Sequence, residues 1–291
     1  MLFKNGLKRA CIAAALASLL TPAACAQKAP PAGQDVTGTQ KQMEAAILGL
    51  REFLYCDRTL DQAVESAGDD EDEKLKQALA LVAAGDARGA VKLLDEMNPG
   101  GKTAGDMQYW FAVAKAKRAA GDADGAKRAA RRPLSDAETR VVLQAWSVLR
   151  ELGERPPAEA ADKVLGVVAE VGVDEGVMII AGYQDGESRI FWTTGGGLIG
   201  TPTDDKVIAA AKELARAGQP LAAQLPYATD RPLPKPKRVR FSLLTPGGMR
   251  VGEEGLSAAD GGSSKFSPLH AAAMQLMHEL LRVYKQKEQG Q

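Results

Sequence analysis

A six-residue motif that occurs twice constrains the N-terminal half of this 291-residue chain more than any other feature. Its first glycine is expected to end one helix, because glycine readily adopts the positive φ of a helix C-terminus. The aspartate that follows is expected to cap the next helix. We expect the later Gly-Ala pair to let the two helices approach closely. The two copies lie 36 residues apart and predict helices arranged in pairs: Gly85-Asp86-Ala87-Arg88-Gly89-Ala90 and Gly121-Asp122-Ala123-Asp124-Gly125-Ala126.

This repeat resembles tetratricopeptide repeats, whose helix pairs break at a comparable glycine. The resemblance covers about 75–153, with a degraded third copy ending at Leu152-Gly153. The Gly-rich insert Asn98–Asp106 departs from the family pattern, and Pro133 cuts short the helix after the second copy. The resemblance implies a stacked helical surface that binds peptides or proteins. A helical bundle that only supports the rest of the chain is the alternative.

The segment 41–153 is predicted to form a helical domain. Its first helix is indicated by apolar residues at three- and four-residue steps, namely Met43, Ile47, Leu50 and Leu54. The acidic run Asp69–Glu73 suits a helix N-terminus. It lacks the glycine and the terminal glutamate of a calcium loop.

The segment 158–287 is predicted to form a second, α/β domain, after the junction Glu154-Arg155-Pro156-Pro157. Asp185-Gly186 between two β-rich runs indicates a hairpin. A helix capped by Thr203 or Asp204 is expected to end at Gly218, and another is expected to begin at Ser267. The fold class is therefore α+β, with helices packed on an antiparallel sheet in the order βββ-α-ββ-α. The predicted strands are Val164–Val173, Val177–Tyr183, Ser188–Thr193, Arg238–Thr245 and Met249–Gly252.

A second resemblance covers about 164–285. The order of four motifs is similar to that of an uncharacterised bacterial domain, and it implies a fold unit without adding a catalytic role. The motifs are Tyr183-Gln184-Asp185-Gly186, Thr194–Gly200, Arg240-Phe241 with Thr245–Gly248, and Phe266-Ser267-Pro268-Leu269.

The glycine-rich segment Gly195–Gly200 is the candidate ligand site. It fits G-x-G-x-x-G, but a dinucleotide fingerprint needs a parallel strand that leads directly into a helix. Here a hairpin arm precedes it and Thr201-Pro202 follows, so a glycine-permitted loop is predicted. Exposed amides in such a loop could bind an anion. The candidate ligand-binding residues are Gly195, Gly196, Gly197 and Gly200; an enzyme would add Asp185, Arg189 or Asp204.

Neither a metal site nor a catalytic residue is predicted. His278-Glu279-Leu280-Leu281-Arg282 begins like a zinc motif but ends in arginine, and His270 is the chain's other histidine. Cys56 is the single cysteine outside the leader and is expected to be buried. No cofactor is implied.

Residues 1–26 are predicted to form a secretory signal peptide, with a basic start, a short apolar run and a small-residue exit. Cleavage after Ala26 would leave a periplasmic or secreted protein. Alternatively, Pro22–Cys25 resembles a lipobox, and acylation of Cys25 would give an outer-membrane lipoprotein facing the periplasm. The Ala- and Pro-rich segment 27–40 is predicted to be a flexible tether.

Charge excludes one partner class. The chain has 37 basic and 37 acidic residues; three basic ones lie in 1–26, which leaves 34 against 37, or −3. A nucleic-acid partner would need a concentrated basic surface. We therefore expect an exported, non-enzymatic module of a bacterial envelope that binds a protein or peptide. The alternatives are an immunity-type inhibitor of a toxin and a small hydrolase or ligand-binding domain that uses Gly195–Gly200.

Overall fold

A computed structural model describes residues 49–65, 73–98, 106–194, 196–200 and 203–288. All of them belong to one compact unit. The predicted signal peptide, Cys25 and the tether lie outside the described residues. Within those ranges no helix has the length and apolar character needed to cross a membrane. The division of the folded part into two domains stays a prediction.

The N-terminal part is helical in the described ranges, as predicted. Its buried residues centre on α5, where Phe111, Ala112 and Ala114 are fully enclosed by neighbouring helices. Pro133 lies in a 3₁₀ turn, Arg132–Ser135, that ends the run of regular helix after the second copy of the repeat. The helices are α1 (49–55), α2 (Leu60–Glu65), α3 (Glu73–Ala83), α4 (Ala87–Met97), α5 (Met107–Ala119), α6 (Ala123–Ala130), α7 (Thr139–Glu151) and α8 (Ala158–Ala161).

The predicted glycine turns are confirmed, including the degraded third one. Gly85, Gly121 and Gly153 have φ of 86°, 82° and 80°. Each donates its N–H to the carbonyl three residues back, and the next residue donates to the carbonyl five residues back, at 2.8–3.1 Å. This bond pair is the Schellman motif, which satisfies the last carbonyls of a helix. Asp86 and Asp122 then cap α4 and α6, as predicted.

The second glycine of each motif has a different role from the one expected. A Cβ on Gly89 would lie 2.2 Å from the Asp86 carboxylate, and one on Gly125 would lie 1.9 Å from that of Asp122. These glycines therefore make room for the cap, which accepts their N–H at 2.8 Å. The alanine beside each glycine is fully buried and packs the helix.

Gly125→Ala should destabilise the protein, although alanine is the better helix former. The added methyl group displaces the Asp122 carboxylate, and a lost N-cap costs about 1 kcal/mol. In an Asp122→Ala background the same change should stabilise by up to ~1 kcal/mol. Urea unfolding of the four proteins measures both effects. Equal effects of Gly125→Ala in the two backgrounds would contradict the assigned role.

The described part of the C-terminal half contains a six-stranded antiparallel sheet with the strand order β4-β3-β2-β1-β5-β6. Asp204 caps α9, as predicted. The strands are β1 (Gly166–Val173), β2 (Gly176–Tyr183), β3 (Ser188–Trp192), β4 (Gly197–Gly200), β5 (Arg238–Thr245) and β6 (Gly248–Gly255); the helices are α9 (Asp205–Gly218), α10 (Leu256–Asp260) and α11 (Ser267–Glu288).

The predicted glycine loop is wrong at residues 197–200, which form β4. Gly197 lies opposite Phe191 and Gly200 lies opposite Ser188 on β3. The strand can pair with β3 because glycine has no side chain at these two positions. A Cβ on Gly197 would lie 2.3 Å from the Phe191 side chain, and one on Gly200 would lie 2.1 Å from that of Ser188. The predicted order βββ-α-ββ-α therefore gains a strand before α9 and the short helix α10 before α11.

Both faces of the sheet are covered. One face packs Ile180, Phe241 and their neighbours against α9 and α11. The other face packs Val168, Ile179 and Tyr183 against Leu54 of α1 and Leu143 of α7. The Tyr183 hydroxyl donates to the Leu54 carbonyl at 2.6 Å. The sheet thus lies between helices from the two halves of the chain.

Candidate functional site

Two adjoining open depressions, of about 600 Å³ and 310 Å³, lie on the helical half. Both are lined by Asp95 of α4 and Lys117 of α5, so they form one continuous surface. We call this surface the α4–α6 groove. Its lining comes from α4, α5, α6 and the 3₁₀ turn that follows.

Helical spacing explains why these side chains share one surface. Arg88, Val91, Lys92 and Asp95 recur at three- and four-residue steps and so lie on one face of α4. The Schellman turn at Gly121 holds α6 against α5 and brings Arg128 to the same depression as Trp110. The repeat therefore supplies the framework on which the groove depends.

The floor of the groove is aromatic and held in place. Trp110 and Tyr109 are buried and meet edge to face at 5.0 Å between ring centroids. The Tyr109 hydroxyl donates to the Leu94 carbonyl at 2.9 Å, and burial raises the pKa of Tyr109. The Arg132 guanidinium lies 5.1 Å from the Trp110 ring. This arrangement offers an apolar surface beside a cation.

The rim of the groove carries more positive than negative charge. Two of its basic residues face acidic neighbours, Lys92 near Glu96 at 4.0 Å and Lys117 near Asp122 at 3.8 Å. The arginines of the lining form no ion pair with any described residue. Asp95 is the one other acidic residue in the lining. The side chains without an ion pair are Arg88, Arg128 and Arg132.

The glycines predicted to bind a ligand belong to the sheet and not to this groove. Gly195 lies outside the described residues. Gly196 is exposed with φ of 90°, Gly197 starts the edge strand β4, and Gly200 is buried beneath Leu280 of α11. Ligand binding by these glycines stays a prediction, but the loop conformation on which it rested is wrong for residues 197–200.

Asp185, Arg189 and Asp204, the residues that the enzyme hypothesis would add, each pair with another group of the fold. Asp185 accepts the backbone N–H of Thr139 at 2.7 Å, and so supplies the cap that α7 lacks from its own Glu138. Arg189 pairs with Glu187 in the β2–β3 hairpin. Each of these side chains therefore has a structural task.

Asp204 has two such tasks. It caps α9, and each of its carboxylate oxygens accepts a hydrogen bond from the Arg282 guanidinium at 2.8 Å. Hydrogen bonds from Arg282 hold the pKa of Asp204 below its ordinary value. A carboxylate fixed in this way is poorly suited to accept a proton from a substrate.

Two further side chains of the described residues with potential reactivity, Cys56 and His270, are buried. Burial raises the pKa of the Cys56 thiol to about 12, as suits an inert cysteine. Burial also lowers the pKa of His270. In the part of the chain that the structure describes, no group of three or more His, Cys, Asp or Glu residues could hold a metal ion.

One buried charge pair escaped the sequence analysis. Glu170 of β1 is fully buried, and Arg51 of α1 donates to both of its carboxylate oxygens, at 2.7 Å and 3.0 Å. A lone acidic residue within the apolar run of Val164–Val173 was the available signal. Such a residue in a buried strand requires a partner.

Comparisons with protein-family models, with curated proteins and with solved structures gave no match. Both family resemblances noted in the sequence therefore stay predictions. The function has to be inferred from the groove itself.

Proposed function

We propose that this chain is a non-enzymatic binding module that holds a carboxylate-bearing segment of a partner protein in the α4–α6 groove. The observation that carries the proposal is the placement of Arg88, Arg128 and Arg132 around the buried floor at Trp110. The predicted leader 1–26 supports a partner in the periplasm or outside the cell.

Arginine suits this task because its planar guanidinium binds a carboxylate through two parallel hydrogen bonds. The Arg88 and Arg128 side chains are exposed, so they are free to reorient toward a ligand. Trp110 and Val113 beneath them would take an apolar side chain of the same segment. The expected ligand thus combines at least one apolar residue with acidic residues or a C-terminal carboxylate.

The small side chains of the groove favour a peptide as the ligand. Ala120 and Ala129 leave space for a backbone to approach α5 and α6 closely. A peptide in this position would cover the boundary between the two depressions, near Lys117. Its backbone would remain at the surface, where water can satisfy the groups left unpaired.

Site-specific photocrosslinking in the native host tests this proposal. A benzoylphenylalanine in place of Lys92, in the groove, should capture a discrete partner on irradiation. The matched control replaces Lys212, which is also exposed on a helix but lies on α9. We expect the adduct at the first position and none at the second. Adducts at Lys212 alone, or at neither position, would contradict the assigned site.

A further inference from the structure

The two edges of the sheet are protected to different degrees. At the β6 edge, Ala228 donates to the Met249 carbonyl at 3.0 Å and Val251 donates to the Pro226 carbonyl at 3.1 Å. The segment around Tyr227 thus covers part of that edge. Charged side chains on β6 add further protection against pairing with another strand: Arg250, Glu253 and Glu254.

The β4 edge has none of these protections in the described part of the chain. The sequence 190–203 contains no charged residue. Ile199 on β4 is 62% exposed, the largest value among the exposed large hydrophobic residues of the described chain. An uncharged, apolar edge strand of this kind pairs readily with another strand.

The hydrogen-bonding pattern shows which groups β4 offers. The N–H of Trp192 on β3 donates to the Gly196 carbonyl at 3.2 Å. Because such bonds alternate along an antiparallel pair, Leu198 and Gly200 also direct their backbone groups toward β3. The N–H and C=O groups of Gly197 and Ile199 therefore point away from the sheet.

We propose that two copies of the chain pair antiparallel through β4, about a two-fold axis at Leu198, to form one continuous twelve-stranded sheet. In this register Gly197 lies opposite Ile199 of the second copy, and the outward groups of these two residues form four backbone hydrogen bonds. Leu198 lies opposite Leu198 of the second copy. This surface is separate from the α4–α6 groove.

The sequence of β4 favours a second copy as its partner. Each exposed Ile199 lies opposite Gly197 of the other copy, where the Phe191 ring occupies the place of a side chain and offers an apolar contact. Gly196 meets Gly200, and no like charges face each other. On the Leu198 face, α11 packs beside β4, and Tyr284, which is 44% exposed, lies one turn beyond Leu280. The two-fold axis would place this part of α11 near the same part of the other copy.

Cysteine crosslinking of the full chain tests the register. Directly opposed residues that are not hydrogen-bonded to each other have Cα atoms about 4.5 Å apart, within disulfide range. Leu198→Cys should therefore give a disulfide-linked dimer under mild oxidation, well beyond the background of the unmodified chain. Ile199→Cys should give little disulfide-linked dimer, because Ile199 lies opposite Gly197 of the second copy and not opposite its Ile199. Equal crosslinking by both variants, or by neither, would overturn the proposal.

Sedimentation analysis tests the surface without relying on a disulfide. Ile199→Lys places charge on the paired edge and should raise the dimer dissociation constant about tenfold or more. The control is Leu233→Lys, which makes the same change at another exposed apolar residue, 45% exposed and away from β4. Circular dichroism should show both variants folded. A monomeric unmodified chain at submillimolar concentration would refute the pairing, as would equal effects of the two substitutions.

Discussion

Replacing Glu170 by alanine is expected to lower the free energy of unfolding by about 3–5 kcal/mol, the cost of breaking a buried ion pair by removing one partner. The Arg51 side chain is 5% exposed and that of Glu170 is 0% exposed. Without Glu170 the guanidinium would remain buried, next to the apolar residues that join α1 to the sheet. Urea denaturation followed by circular dichroism measures the loss.

Two further variants identify the cause of that loss. Arg51→Met combined with Glu170→Leu removes both charges and should recover most of the stability, because a buried pair is often replaced by apolar residues without net cost. Glu213→Ala breaks the exposed pair with Arg216 on α9 and should cost less than about 1 kcal/mol. If the double variant were as unstable as Glu170→Ala, an unpaired charge would not be the reason.

Local signals predicted most of the elements of this fold. The glycine turns, the aspartate caps and the Asp185-Gly186 hairpin all depend on residues within one short segment, and the structure confirms them. Strand β4 escaped prediction because four of the six residues in Gly195–Gly200 are glycine, which hides the alternation of a strand. What makes it a strand is its fit beside Phe191 and Ser188, a tertiary contact.

The candidate site was predictable only in part. The repeat indicated a helical surface that binds proteins, but not which side chains would line a depression. That depends on how α4 and α6 each pack against α5, which is a tertiary arrangement. The glycine content of Gly195–Gly200 predicted a ligand site there instead. Arg128 and Arg132 carry no motif, and their importance emerges only from their position around Trp110.

Reversing the charge of two groove arginines, Arg128→Glu with Arg132→Glu, should weaken partner binding about 100-fold, or ~2.7 kcal/mol. Each glutamate would repel the ligand carboxylates that the arginines attract. The fold should change little, since both side chains are exposed, although the contact of Arg132 with Trp110 is lost at a cost of up to about 1 kcal/mol. Quantitative photocrosslinking from the Lys92 position measures the loss of capture.

The matched control for this pair is Lys206→Glu with Lys212→Glu, which makes the same change of charge on exposed positions of α9. Capture should then stay close to that of the unmodified chain. An equal loss in both double variants would indicate a general effect of net charge. In that case the α4–α6 groove would not be the binding site.

The most direct measurement uses the segment captured at Lys92, prepared as a synthetic peptide, and determines its affinity by calorimetry. If the groove binds carboxylates, affinity should fall with added salt, and it should be lost when the acidic residues of the peptide are replaced by amides. The Arg128→Glu, Arg132→Glu protein should bind the unmodified peptide about 100-fold more weakly. Undiminished binding of that peptide by the double variant would contradict the function proposed for this chain.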